Sequence, residues 1–194
     1  MILPCKTIVY KYLNSGLIAP HGMTDLVHAD QYKLTPELYK INLLTTATHG
    51  LVHLVEIPYL LNILFVGMSI VHFRRDFPKI KQIPRFLLSS IFLLFSLSRP
   101  ELFFLYMALI HVPHHYNLNW KYLKKAPLLS IISLSVSTFV SLLLSHNYGT
   151  IVYENPFILD TIKGIIVSHI IYEETYLYEN DFFDIFKKQI NYNI

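Results

Sequence analysis

The sequence predicts one all-α domain over residues 1–194, a polytopic membrane helical bundle of about six or seven helical segments, several of them broken at proline. Three observations predict it. Of 194 residues, 53% are hydrophobic and only 15% charged, and the mean hydropathy is +0.41; soluble domains carry about 25% charged residues. The lysines and arginines fall in short clusters between apolar runs, the pattern of positive-inside loops. One stretch, Pro127 to Ser145, holds no charge at all and matches the roughly 20 residues that a bilayer crossing needs.

Residues 7–30 form a moderately apolar stretch broken at Pro20-His21-Gly22, a break of the kind tolerated where backbone lines a cavity. A polar interval follows, with Thr35 as an N-cap, Pro36 at the first helical position and Glu37 in the first turn. From Ile41 to Phe73 the chain is apolar apart from Glu56-Ile57-Pro58, so two short helices or one kinked pair are expected. The basic residues Arg74, Arg75, Lys79, Lys81 and Arg85 mark a loop over 74–85, and Lys121, Lys124 and Lys125 a second over 121–125; both are expected on the cytoplasmic side. Between them, Phe86–Ser98 and Glu101–His115 read as two segments hinged at Arg99-Pro100. The serines of the uncharged span suit helix contacts. A polar loop from His146 to Asp160, a last helix over Thr161–Tyr178 and an inside end at Lys187-Lys188 complete the expectation.

The composition also excludes functions. A net charge of +3 is too small for a nucleic-acid partner. A single cysteine, Cys5, permits no internal disulfide and no thiolate cluster. Met1 to Lys6 carries no apolar core of signal-peptide length, so insertion is expected to rely on the mature spans.

Four histidines stand in or beside apolar stretches: His21, His72 in Ser69-Ile70-Val71-His72-Phe73, and the pair His111 and His115. A hydrogen-bonding group is expensive to bury without a partner. A shared metal ion explains four of them most economically, and neutral imidazole suits iron, copper or zinc. His111 and His115 are four apart, so a helix puts both rings on one face, with a kink expected at Pro113. His114 lies near that face and could replace either. Each histidine taken alone is better explained as a hydrogen-bonded interior residue. Others fit the shared site less well. His49, His53 and Glu56 share a helical face and suit a structural or supporting role. His28 lies about two turns beyond His21 and could approach the site. His169 and Glu173 are expected to bond each other or close the cavity.

Pro20-His21-Gly22 with Asp25, then Ser69-x-x-His72-Phe73, then His111-x-Pro113-x-His115, in that order, resemble the motifs of the membrane β-carotene 15,15′-dioxygenases called the Brp/Blh family. The resemblance covers residues 12–116 in motif order and marks a compact, divergent member. The interval between His72 and His111 is shorter than in the family, as if about two helices were missing, and the family's arginine within the paired motif is His114 here. The resemblance implies His21, His72, His111 and His115 as catalytic ligands of Fe(2+), with Asp25 accepting the far N–H of a ligand ring and His114 close by. It implies cleavage of a carotenoid by dioxygen to retinal within the lipid bilayer, and a functional link to a retinal-binding rhodopsin. Phe73, Tyr106 and Tyr116, next to or one turn from these histidines, are the candidates to line a polyene tunnel.

Two other functions fit part of the same pattern. A two-metal fatty-acid desaturase or hydroxylase would use His111-x-x-His114-His115 as one histidine box and His49-x-x-x-His53 as another, but needs about eight clustered histidines. A non-catalytic retinoid- or carotenoid-binding membrane protein would keep the fold without the reaction.

Overall fold

The structure, a computed structural model, describes residues 14–147 and 155–177, and these are helices joined by short turns, with no strand among them. Cys5, the middle of the expected loop after His146, and Lys187-Lys188 lie outside the described residues. A π turn, Asn14–Ile18, leads into a single α turn, Ala19–His21, and then α1 (Thr24–Gln31), α2 (Thr35–Leu54), α3 (Pro58–Phe73) and α4 (Gln82–Ser98). Helix α5 runs over 100–125; it is α-helical at Pro100–Tyr106 and Val112–Lys125, with a π turn, Met107–His111, between. Helix α6 is Pro127–Asn147, and α7 is Pro156–Tyr172, continued by a π turn, Glu173–Leu177.

Proline sets most of these boundaries. Pro36, Pro58, Pro100 and Pro156 each stand in the first two positions of a helix, where a missing N–H costs nothing and φ is already helical. The interruption at Glu56-Ile57-Pro58 separates α2 from α3, with Glu56 at φ 56° turning the chain. Thr35 does not cap α2 as the sequence predicts. It is the first helical residue, and Leu34 precedes it with no side-chain cap.

Helix α7 lies along α2 and touches α3, while α1 packs on α2, α6 and the C-terminal half of α5. The α2–α7 approach depends on Gly164. A Cβ there would stand 3.0 Å from Thr46 Cα and 3.1 Å from His49 Cβ, tighter than ordinary van der Waals contact. One apolar cluster gathers Phe73, Leu93, Tyr106, Met107 and Val112, and a second Ala29, Leu38 and Tyr172.

The distribution of polarity is inverted relative to a water-soluble bundle. Leu43, Leu51, Ile63, Ile91, Phe95, Ile131, Val136, Phe139 and Ile165 are exposed, whereas His21, Asp25, His72, Asp76, His111, His115, Asn119, Glu173 and Glu174 are buried. Among the described residues one helical stretch, Pro127–Leu144, is long and apolar enough to cross a bilayer, and Ile83–Phe95 is a shorter apolar one. The two arginines that open the expected basic loop depart from the sequence reading. Arg74 is buried, and Arg75 donates to both carboxylate oxygens of Glu174, at 2.5 Å and 2.7 Å. A buried carboxylate on the last turn draws them inward, because an unpaired charge there would be costly.

Candidate metal centre

The break at Pro20-His21-Gly22 turns His21 inward. Its Nδ1 donates to the Ile18 carbonyl, and Thr24 Oγ1 donates to the His21 carbonyl at 2.7 Å, so both chain and ring are held. His72 comes from the last turn of α3. His111 and His115 come from α5, where the kink predicted at Pro113 takes the form of the π turn just before it. The Val112 N–H reaches back five residues to the Met107 carbonyl. This wider turn accommodates a proline that can neither donate nor tolerate the carbonyl four residues earlier.

His72, His111 and His115 gather closely, and His21 stands beside the last two. His111 and His115 have ring centroids 4.3 Å apart, His72 stands 4.9 Å from each, and His21 stands 5.5 Å and 5.4 Å from them. One ligand atom each from His21, His111 and His115 lies within 4.8 Å of the others. Their backs are occupied by acceptors. His111 Nδ1 donates to Asp76 Oδ2 at 2.9 Å and His115 Nδ1 to Glu173 Oε1 at 3.1 Å, as His21 does to Ile18. With each Nδ1 so engaged, Nε2 is the atom that these rings can offer to an ion, the tautomer that metal-binding imidazoles take. His72 has no hydrogen bond at either ring nitrogen. An orphaned buried polar atom costs about 1–3 kcal/mol, and a bound cation is the partner that removes this cost. The donor set therefore fits a nitrogen-preferring divalent ion.

The carboxylates are located differently from expectation. Asp25 faces His169 instead of His21: its Oδ2 accepts from His169 Nδ1 at 2.7 Å, because α7 inserts His169 between them, 5.1 Å ring to ring from His21. Asp76, in the turn after α3, was not singled out by the sequence, yet it also accepts from the Tyr106 hydroxyl. Burial pushes its carboxyl up to about 7, against the lowering effect of that hydrogen bond. His169 and Glu173 are members of the cluster: with His72 and His115 they form a second group of mutually close ligand atoms.

Among the remaining candidates, Phe73 packs edge-on against His111 at 4.8 Å and so walls the centre. Tyr106 directs its hydroxyl to Asp76, which makes it a positioning residue before a tunnel wall. Tyr116 packs on the apolar cluster around Phe73. His114 is half-buried and belongs to neither ligand group. His28 turns away to share a 2.9 Å hydrogen bond with the Tyr172 hydroxyl. His49 Nδ1 donates to the Thr45 carbonyl at 2.8 Å, His53 pairs with Asp160 at 2.7 Å, and Glu56 is exposed. The first face of a desaturase is thus not assembled among the described residues.

No family model, no curated protein and no solved structure matches this chain.

Proposed function

We propose that the protein is a membrane-embedded non-haem iron oxygenase that cleaves a carotenoid, β-carotene or a close relative, to retinal. The gathering of His21, His111 and His115, with His72 beside the last two, from three separated parts of the chain carries this reading, together with the Nδ1 atoms engaged on three of them. The exposed apolar side chains around a polar interior support a lipid setting, in which several helices besides Pro127–Leu144 would lie in the bilayer.

The four imidazoles would hold iron(II), whose chemistry when bound is activation of dioxygen toward a conjugated double bond. Overall one C=C bond and one O2 become two aldehydes, so no hydride donor and no acid–base residue is demanded. The residues of this chain supply the rest. Ile18, Asp76 and Glu173 fix the ring tautomers and orientations. Tyr106 holds Asp76 toward His111. Phe73, Met107 and Val112 keep water from the centre and offer apolar contact to a hydrocarbon chain.

Expression in a β-carotene-producing bacterium tests substrate and reaction together. Loss of colour with retinal in the extract is expected; unchanged carotenoid with the protein present in the membrane would remove the reading. One iron per purified chain is the expectation for the four-histidine centre alone, and none would leave a carrier.

A further inference from the structure

The last helix brings a set of donors that the four-histidine centre does not use. Glu173 Oε2 has no hydrogen-bond donor on it, and the Glu173 carboxyl lies within reach of the Asp25 and Asn119 side chains. Oε2 stands 3.7 Å from His169 Nε2 and 3.8 Å from His72 Nδ1, and neither of these nitrogens has a hydrogen-bond partner. The separations are too long for hydrogen bonds. They suit donors around one ion: ligands at about 2.0–2.2 Å from a common metal stand about 3–4 Å from each other. The site is closed to water, with Glu173 0% and His72 2% exposed. His115 borders the group, one ligand atom from each of His72, His115, His169 and Glu173 lying within 4.8 Å of the rest, while its Nδ1 is held by Glu173 Oε1. Asp25 fixes the orientation of His169, whose Nδ1 it accepts, so that Nε2 faces Glu173.

We propose a second cation site beside the first, built from His72 Nδ1, His169 Nε2 and Glu173 Oε2 with His115 at its edge. It would take a divalent transition ion, zinc or iron(II), because two imidazoles and one carboxylate form a nitrogen-rich set with one hard oxygen. Among the described histidines that are buried, His72 has neither nitrogen hydrogen-bonded, which fits a ring that binds on both sides. A neutral ring carries a single N–H: with Nε2 binding the first ion through its lone pair, the second ion displaces the one proton on Nδ1, the ring binding as imidazolate and that proton leaving to solvent as the ion enters. The proposal rests on the preceding reading in one respect only, the use of His72 Nε2 by the first centre. It does not restore the desaturase pattern, whose further boxes at His49, His53 and His114 lie outside both groups.

The test is cobalt(II) binding to the full chain in detergent, stripped with chelator, then titrated and counted after desalting, with the visible absorption spectrum followed. Two cobalt ions per chain are expected for the wild type, and one for His169→Ala and for Glu173→Gln. Glutamine at 173 keeps an oxygen that can accept from His115 Nδ1, so the first centre retains its support. A wild type that binds one ion overturns the proposal, as do variants that still bind two. Variants that lose both ions while keeping their helical circular dichroism also overturn it, since His169 and Glu173 would then belong to a single centre. The count is independent of carotenoid turnover: a chain that binds two ions and makes no retinal upholds the second site and removes only the oxygenase reading.

Discussion

Asp25 Oδ2 accepts a 2.7 Å hydrogen bond from His169 Nδ1 across 144 positions of sequence. That bond fixes the helix after Gly22 to the last helix at the level of the histidine cluster. Both groups are buried or nearly so, the side chains being 4% and 12% exposed.

Removing this acceptor is expected to loosen metal retention. Asp25→Asn keeps an oxygen for the His169 N–H and loses less than Asp25→Ala, which is expected to weaken metal affinity about 10- to 100-fold. Metal content after graded chelator dialysis measures it. Wild-type retention in both variants would assign Asp25 to the fold alone.

His72→Ala is expected to abolish retinal formation and to lower bound metal while the protein still accumulates in the membrane, because little apolar surface is lost. His49→Ala, which removes a ring tied only to the Thr45 carbonyl, is expected to retain metal. Equal metal loss in both, at equal protein levels, would point to a histidine set larger than the one described.

Tyr106→Phe removes one of the two hydrogen bonds on Asp76 Oδ2. A smaller effect than Asp76→Ala is expected, since the His111 bond survives; the latter is expected to lower metal affinity about 10- to 100-fold. The ratio of dissociation constants for cobalt(II) is the readout, and an Asp76→Ala protein with wild-type affinity would deny the carboxylate its orienting role.

Gly164→Ala is expected to destabilise by about 1–3 kcal/mol, the usual cost of overpacking, as the new Cβ meets Thr46 Cα and His49 Cβ. Gly67→Ala, where nothing lies within 4 Å, is expected to be neutral or to stabilise by about 0.5–1 kcal/mol through helix propensity. Thermal unfolding in detergent compares them, and a Gly164→Ala protein no less stable than Gly67→Ala would show that α2 and α7 separate without cost.

Removing Arg75 takes from the buried Glu174 both of its hydrogen bonds to that guanidinium and leaves the longer pairing with Arg74, a loss of up to about 3–5 kcal/mol. Arg75→Ala is therefore expected to unfold earlier than the double variant Arg75→Ala with Glu174→Gln, in which no carboxylate is stranded. The reverse order would mean that Arg74, 3.7 Å from Glu174, neutralises it alone.

The helix breaks at Pro36, Pro58 and Pro100 were legible because proline acts through its own backbone. The pairing of His111 with His115 was legible because four positions make one turn. The carboxylates were not: Asp76 and Glu173 reach their histidines across 35 and 58 positions, and no local pattern encodes such a contact. His169 and Glu173 did carry a helical spacing, but a lone pair on a last helix reads equally well as a mutual contact. Arg74 and Arg75 misled in the opposite sense, since a rule for exposed basic loops has no information about a buried Glu174 almost a hundred residues on.

Tyr106 and His111 reach the same oxygen of Asp76 although they are five residues apart. In a regular α-helix five steps of about 100° would leave them more than a third of a turn apart. The π turn at Met107–His111 absorbs the additional residue and returns both to one side. The length of this segment is thereby fixed. Deleting one residue between 107 and 110 would regularise the backbone and swing the following half of α5 about its axis, carrying His115 off Glu173 and breaking the 3.1 Å hydrogen bond that Asn119 Nδ2 donates to Thr24 Oγ1. Length variation is excluded here, whereas the outward faces of α4 and α6 leave residue type free to drift among apolar side chains.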